Sequence, residues 1–511
     1  MAYQDSVYQT AIFNEIKNPA RRNIVIDAVA GSGKSTTIVR SLDLIPKNES
    51  TIFLAFGKDI VKDLKGKTPA HVRVATMHSN GLNELRYHFG KDIILDNDKV
   101  AKVIEIESFN WGLTEEEKVA YCDRVEKLVN MFRFALPQSP QHVIELCEKF
   151  DIELLNGEVE RAKQVLLICR KNVKSFDFMD MIYFPAFHSG MKLKKFKNVF
   201  VDECQDLNAA QHEMIKKMVD PNGGRLIAVG DPHQAIYGFT GADSDSFDKL
   251  KNLFPNTIEL PLSVSYRCGA SIIAHSQTIV PHIQALPGAV EGIVKIGSFT
   301  EIKDGDFVLC RNTKPLVSLC MKFIAEGKKA TIKGKDFGKN LIDMIKKAKA
   351  KSNDAFFNHM DREYNKLKNK LAAKNPGKDV EKLTPVVILT DKINALKAIA
   401  LASKSNQTAD MIITIEKIFS DTEEAGIILS TMHKSKGLEA DNVFIIEAQL
   451  NPAYYAQQEW QMTQEMNLMY VARTRAKQML CYVSDWISDE DNMKHLKKAL
   501  QSLGIEDKVT A

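Results

Sequence analysis

Residues 23–42, NIVIDAVAGSGKSTTIVRSL, constrain the fold of this chain more than any other stretch. An apolar, β-branched run gives way to a glycine-rich loop, and the loop to residues with helical spacing. In that context the loop at residues 28–37 has the parts of a phosphate cradle. Gly31 and Gly33 let backbone N–H groups converge, Lys34 reaches outer phosphates, and Ser35 offers a hydroxyl to Mg²⁺. Ala28 stands where the general pattern has its first glycine. A lone Gly-Lys-Ser is also compatible with a solvated turn, so the rest of the chain decides between the two readings.

A chain of 511 residues is too long for one core. Short apolar runs alternate with helical patterns in two blocks, as in parallel sheets covered by helices. The first block holds NIVIDA, TIFLAF, VRVATM, NVFVDE and RLIAVG. A second opens with TIELPLSVSYR and continues through DFVLCRN, KATIKG, GIILSTMH, NVFIIEA and QMLCYVS, with no phosphate loop of its own. The expected fold class is α/β, with two parallel-sheet domains in tandem, each carrying an inserted, mainly helical subdomain. Residues 1–86 and 186–262 are assigned to the first domain and 87–185 to its insertion. Residues 263–337 and 425–511 are assigned to the second domain and 338–424 to a lysine-rich insertion. Thr114 and Glu117 have the spacing of a capping box at the start of a long helix in the first insertion. In the second, a turn is expected at Thr384-Pro385; its lysines either dock on duplex phosphates or form a solvated helical face.

The net charge of +4 requires any nucleic-acid partner to be held by a local groove. Eight cysteines without metal-ligand spacing read as buried, reduced thiols. The N-terminal stretch lacks a leader pattern and no run is long and apolar enough to span a bilayer, so a cytoplasmic protein without membrane association is expected.

Chemistry beyond the loop comes from VFVDECQD, which puts Asp202 and Glu203 at the end of an apolar strand. One carboxylate there can hold a Mg²⁺ shell while its neighbour orients or deprotonates the attacking water. Phosphoryl transfer also needs cations on the developing charge, and the second block offers Arg267, Arg473 and Arg475.

With VGDPHQAIYGFTGA from Val229 and STMHKSKGLEADNV from Ser430, this motif series resembles superfamily 1A DNA helicases of the UvrD, Rep and PcrA type. LAFGK, VGDPHQAIY and NLMYVARTRA are closer to the F-box helicase branch. The resemblance spans both blocks in order, from Gln9 to Ala476, and leaves the two helical insertions without a motif. It implies two RecA-like domains facing one ATP, with Mg²⁺ as cofactor. By resemblance, Gln9 reads adenine, Tyr266 stacks on it, and Glu439 contacts the ribose. Ala30, Gly31, Ser32, Gly33, Lys34, Ser35 and Thr36 form the phosphate loop, with Ser35 and Asp202 at the metal. Glu203 activates water, Gln234 senses the γ-phosphate, and Arg267 and Arg475 meet the transition state. Phe56, His78, Tyr237, Phe239 and His433 fall in the motifs lining the single-strand path, where bases stack on aromatic faces. Phe56 and Tyr237 also suit core packing, and the two histidines suit backbone partners at strand ends.

The chain departs from the family at Thr240, where an arginine is usual, and at Thr36. The segment after YVARTRA is too short for the long strand-separating hairpin of the bacterial enzymes; Tyr454, Tyr455, Trp460 and Trp486 stand as replacements or as ordinary packing residues. The function implied is an ATP-dependent translocase on single-stranded DNA, moving 3′→5′ and unwinding duplexes at single-strand/double-strand junctions in replication, repair or recombination, with proteins of those processes as partners and a monomer as a workable state. Alternatives are a protein-displacing translocase, an RNA-directed helicase, and a nucleotide-gated binding module.

Overall fold

Every apolar run of the first block forms a parallel strand in the computed structural model, which describes residues 5–150, 152, 157–238, 245–374, 379–419, 426–488 and 493–505. The strands are β1 (Asn23–Ala28), β2 (Thr51–Ala55), β3 (Val72–Thr76), β4 (Asn198–Val201) and β5 (Arg225–Gly230). A sixth, β6 (Thr257–Leu262), completes the sheet, whose order is β3-β2-β4-β5-β1-β6. These strands are apolar on both faces because helices cover both. With period two, Ile24, Ile26, Phe53 and Phe200 face one apolar cluster, and Val25, Ile52, Leu54 and Val201 face another.

β6 corrects the expectation that TIELPLSVSYR opens the second block. Its first six residues pair with β1, in the register Ile24↔Ile258 and Asp27↔Pro261, at the edge of the first sheet. Pro261 fits an edge, where one side of the strand needs no ladder donor. Only the last four residues of TIELPLSVSYR lie beyond the boundary between the chain's two compact units, Met1–Ser263 and Val264–Ala511, where Val264–Ser265 pairs with Gln284–Ala285. Strand composition cannot tell which sheet a run will join, since the partner is remote in sequence.

Between β3 and β4 the first unit inserts helices that include Lys99–Ser108, Glu115–Ala135, Pro140–Lys149 and Glu158–Lys171. The Thr114 hydroxyl accepts the Glu117 N–H while the Glu117 carboxylate accepts the Thr114 N–H, closing the expected capping box. Leu128, Val129 and Val165 join the cluster of Ile52 and Leu54, so the insertion extends the core on one sheet face.

The second unit has its own parallel sheet: β7 (Ile293–Gly297), β8 (Phe307–Cys310), β9 (Ala330–Ile332), β10 (Ile427–Thr431), β11 (Ala440–Ile445) and β12 (Ala476–Val483). Its order is β7-β12-β11-β8-β10-β9. β7 is absent from the strands read in the sequence; its residues are only partly buried, as an edge strand's are. Helices Lys335–Ala348, Asn353–Lys374, Thr384–Ser403 and Thr408–Ile418 lie between β9 and β10. Thr384-Pro385 is no turn: it forms the first turn of a helix, where proline's missing N–H costs nothing. In the lysine-rich stretch Lys368 donates to Glu381, which satisfies one of its charges internally.

Seven of the eight cysteines are buried, Cys122 is half-buried, and all are free thiols. Among the described residues no helix is long and apolar enough to cross a membrane.

Candidate nucleotide site and nucleic-acid path

The loop after β1 is built to present N–H groups. Gly31 (φ 71°) and Gly33 (φ 76°) take the left-handed conformation, which bends successive amides toward one side. Helix Lys34–Leu42 starts from Gly33 with no side-chain cap, so its first-turn N–H donors remain available. Ser32 is buried, and its hydroxyl has no partner among the described residues. Such an orphaned polar atom is rare in a finished core and fits a site shaped for a polar guest. Ala30 is buried beside it, whereas Ser35 and Thr36 are exposed. Gln9 is fully buried and tied to the same helix: its Nε2 donates to Thr37 Oγ1 at 3.0 Å, and Thr37 in turn donates to the Gly33 carbonyl at 3.0 Å.

Two parallel strands, β4 and β5, deliver the remaining polar groups at their carboxyl ends. β4 continues into Asp202, whose N–H bonds to the Leu54 carbonyl of β2, and then into Glu203. Glu203 sits at φ 51°, a left-handed conformation that disfavours a residue with a Cβ. Its side chain is held from two sides: Lys34 Nζ lies 3.2 Å from Oε1, and Gln205 Nε2 donates to Oε2. Gln205 also accepts the N–H of Asp231, the residue after β5, at 3.0 Å. Asp231 then accepts Gln234 Nε2 at 2.6 Å. Gly230 makes this possible, because a Cβ there would lie 2.2 Å from Gln205 Oε1. Burial opposes the charge on Lys34, but the carboxylates of Glu203, Asp231 and Asp202 outweigh it and raise the pKa above the ordinary lysine value.

Lys34, Asp202, Glu203 and Gln234 are thus brought into one connected group. Gln205 and Asp231 belong to it and were not among the predicted site residues, although both lie within the quoted VFVDECQD and VGDPHQ stretches. The donor set suits a polyphosphate: converging amides, an ammonium whose charge the neighbouring carboxylates favour, and a nearby hydroxyl. Asp202, Glu203 and the Ser35 hydroxyl are hard oxygen donors of the kind Mg²⁺ takes.

The aromatic residues fall less uniformly. Phe56, just after β2, is 48 % exposed. His78 stacks on Phe178 with ring centroids 3.9 Å apart and planes 15° from parallel. Burial pushes the His78 pKa down to about 4. Phe178, 52 % exposed, was not predicted; its signal is an aromatic residue inside SFDFMD, a stretch with no strand or helix periodicity of its own. A buried ion network fixes its turn. Arg133 bonds Asp177 at 2.7 Å and Asp180 at 3.1 Å, and Lys99 bonds Asp180 at 2.8 Å. Tyr237 is half-buried, its pKa pushed up to about 12 by burial and then by the carboxylates of Asp206 and Glu203. Phe239 and Thr240 lie outside the described residues.

In the second unit, Arg267 Nε lies 2.6 Å from Glu439 Oε2, and Lys477 Nζ lies 2.7 Å from Oε1 of the same carboxylate. Arg267 also donates to the Thr474 carbonyl at 3.2 Å, and Tyr266 beside it is half-buried. Arg475 is buried and donates to the carbonyls of Val471 (2.8 Å) and Leu438 (3.0 Å) and to Thr474 Oγ1. Burial and the neighbouring Arg267 charge lower its pKa to about 10. Arg473, offered by the sequence as a third cation, is a structural strut. It bonds Tyr482 Oη, the His275 carbonyl and Thr278 Oγ1. His433 is half-buried, with its pKa pushed down to about 3 by burial and then by the Arg311 charge. Of the four aromatic residues offered as wedges, Tyr455 bonds Arg311 and Trp486 packs on Phe299, whereas Tyr454 is 57 % exposed with its hydroxyl on the Glu381 carbonyl. Trp460 donates its ring N–H to Gln458.

Comparison with known proteins adds an independent observation. A family model described as the UvrD/REP helicase N-terminal domain matches residues 9–255, and one described as the UvrD-like helicase C-terminal domain matches residues 141–485. The chain is 23 % identical to F-box DNA helicase protein 1 of Schizosaccharomyces pombe, over 89 % of this chain and 55 % of that protein. It is 29 % identical to ATP-dependent DNA helicase UvrD1 of Mycobacterium leprae, over 52 % of this chain and 39 % of the relative. ATP-dependent DNA helicase Rep of Buchnera aphidicola (subspecies Acyrthosiphon pisum) is 29 % identical over 32 % of this chain and 25 % of its own length. The chain therefore spans about half the length, or less, of these curated relatives. With two parallel α/β sheets and a family match covering most of its length, the chain belongs to the UvrD-like helicases of superfamily 1A.

Proposed function

We propose that the protein is an ATP-driven motor that moves along single-stranded DNA, 3′→5′, and separates duplexes ahead of it. The observation that carries this reading is the Lys34 ammonium held against Glu203, with Asp202 and Asp231 nearby, beside a loop of positive-φ glycines. In it, the amides of residues 30–36 and Lys34 bind the phosphates of ATP, and Gln9 reads the base. Ser35 and Asp202 would hold Mg²⁺, which would supply charge neutralisation on the phosphates. Glu203 orients water and takes its proton, Gln234 reports the γ-phosphate, and Arg267 and Arg475 meet the charge that develops. Glu203 is suited to that task because Gln205 and Lys34 fix its carboxylate before any substrate arrives. Tyr266 and Glu439 take the adenine and ribose. Phe56, His78, Tyr237, Phe239 and His433, joined by Phe178, offer stacking faces and edges to successive bases. DNA is the substrate named for the relatives, and a role in replication, repair or recombination, in a cytoplasmic setting, belongs to the same proposal.

The test is ATP hydrolysis by the purified chain alone, with single-stranded DNA and with RNA, using Lys34→Ala as control. Stimulation by DNA that Lys34→Ala abolishes is the expected result; tailed duplexes then report polarity. Turnover at the Lys34→Ala level under every condition overturns the motor reading, and stimulation by RNA over DNA overturns the choice of substrate.

A further inference from the structure

The first unit contains a cavity that the nucleotide cluster and the aromatic path do not use. It measures about 660 Å³, within the range of sites that accept a bulky side chain. Its floor is apolar, with Phe132, Val143 and Leu166 among its residues. Three cations, Lys163, Arg170 and Lys217, share the lining with one carboxylate, Glu213. An adjoining cavity of about 740 Å³ shares Leu136, Gln138 and Glu213 and adds Lys149 and Lys249 against Glu145 and Asp245, so the excess of cations lies in the first cavity.

The cations are placed in advance of any ligand. Arg170 lies over the Phe187 ring, 3.8 Å from its centroid, and Phe187 stacks on Tyr183 at 5.2 Å. Its Nε donates to Tyr183 Oη, and its Nη groups have no partner among the described residues. Lys217 donates to the carbonyls of Ala186 and Pro185 at the end of helix Asp180–Phe187. Burial lowers its pKa, so a carboxylate brought alongside would gain a cation that water screens poorly. The rim is stiff: Leu136 is left-handed at φ 48°, Pro137 and Pro140 flank the turn, and Ser139 caps the helix that follows. A preformed, rigid rim lowers the ordering cost of binding.

We propose that this cavity docks a short acidic peptide segment of a partner protein, which inserts one bulky apolar side chain and sets carboxylates against Lys163, Arg170 and Lys217. Charge complementarity selects an acidic ligand, and Glu213 selects a peptide over a nucleic-acid strand. A phosphodiester brings only acceptors to a wall that contains a carboxylate, whereas a peptide backbone brings N–H donors. The apolar floor, with Val143 and Leu166 beside Phe132, suits a buried apolar side chain of such a peptide.

The experiment is fluorescence anisotropy on the full chain with a labelled ten-residue peptide of one phenylalanine, four aspartates and five serines. Controls replace the phenylalanine by serine or the aspartates by lysines, and a fifteen-residue oligo(dT) is the competitor. Saturable binding is expected, at least fivefold weaker for the serine control and absent for the lysine control. Binding should also be at least tenfold weaker for Arg170→Glu and for Lys163→Glu, and unaffected by oligo(dT). Lys163 is exposed, so its reversal leaves the fold intact and keeps the test decisive if Arg170→Glu fails to fold. Equal binding of the lysine peptide, or unchanged binding by Lys163→Glu, overturns the proposal. Displacement by oligo(dT) does so too and identifies a nucleic-acid track instead. ATP hydrolysis by the same variants reports on the motor separately, since none of these residues belongs to it.

Discussion

The two units share a plan and differ in what they put at their strand ends. Each has six parallel strands, and each inserts its helices after the third strand in chain order. In the first unit, side chains hold side chains: Lys34 on Glu203, Gln205 between Glu203 and Asp231, Gln234 on Asp231. In the second, the buried Arg475 and Arg473 are held by the carbonyls of Val471, Leu438 and His275 and by neighbouring hydroxyls, while Arg267 pairs with Glu439. A cation among carboxylates can change partners when phosphates arrive, because its charge is already set against movable groups. A guanidinium bonded to carbonyls is held by the fold itself. The comparison teaches that one architecture supplies either a cluster of exchangeable side-chain partners or a set of struts, and that the residues at strand ends decide which.

The largest effect belongs to the first cluster. Glu203→Gln keeps a polar group beside Lys34 and Gln205 but removes the proposed base, so kcat should fall by roughly 10²–10⁴ while ATP binding persists. Lys34→Ala should lower both, and it leaves Glu203, Asp202 and Asp231 without their cation, so its melting temperature should fall below that of Glu203→Gln. Turnover assays with nucleotide binding by equilibrium dialysis, and thermal melts of both variants, check this. Equal melting temperatures would mean that the cluster is as rigid as the arginine side and would dissolve the contrast.

Within the second unit the contrast sharpens between two arginines with the same implied role. Arg475→Ala removes the bonds of a buried guanidinium to the Val471 and Leu438 carbonyls, charge-assisted bonds worth about 1.5–3 kcal/mol each. It should therefore lower the melting temperature by several degrees as well as slowing turnover. Arg267→Ala leaves Glu439 its bond to Lys477 and removes a partly exposed pair, worth about 0–1 kcal/mol. Its melting temperature should stay close to the parent's while DNA-stimulated hydrolysis falls tenfold or more. A large stability loss in Arg267→Ala would show that both are struts.

How much of this was legible in the sequence follows from which interactions are local. The loop from Gly31 to Ser35 could be read because its parts are contiguous, and the Thr114–Glu117 box because it closes within one turn. The pairing of β6 with β1 could not, since 257–262 carries no mark of the partner it meets some 230 residues upstream. Asp231 and Gln205 stood in quoted motifs, yet their bond depends on Gly230 letting two loops approach. The buried fate of Arg473 and Arg475 was equally hidden, because the sequence YVARTRA does not say which side chain turns toward carbonyls. Phe178 lies in SFDFMD, a stretch that shows no motif, and only its packing against His78 marks it out.

The smallest expected effect tests that pair, where the insertion meets the sheet of its own unit. Phe178→Ala should weaken binding to single-stranded DNA by about tenfold, within the roughly 1–3 kcal/mol that one stacked base contributes, and leave DNA-independent hydrolysis unchanged. The histidine makes the same variant readable by pH. His78 has a pKa of about 4 in the fold against about 6.5 when unfolded, so it stays neutral from pH 6 to 8. The unfolded chain binds its proton first as pH falls, so stability at this position is lost between pH 6.5 and 4 and is constant above. Removing the Phe178 ring opens His78 to water, which should raise its pKa toward the ordinary value. A titration of the His78 ring by NMR should then move its midpoint upward, and the DNA affinity of the variant should gain a pH dependence between 5.5 and 7 that the parent lacks. If the midpoint stays near 4 without the phenylalanine, the sheet alone buries His78, and Phe178 acts on DNA, if at all, independently of it.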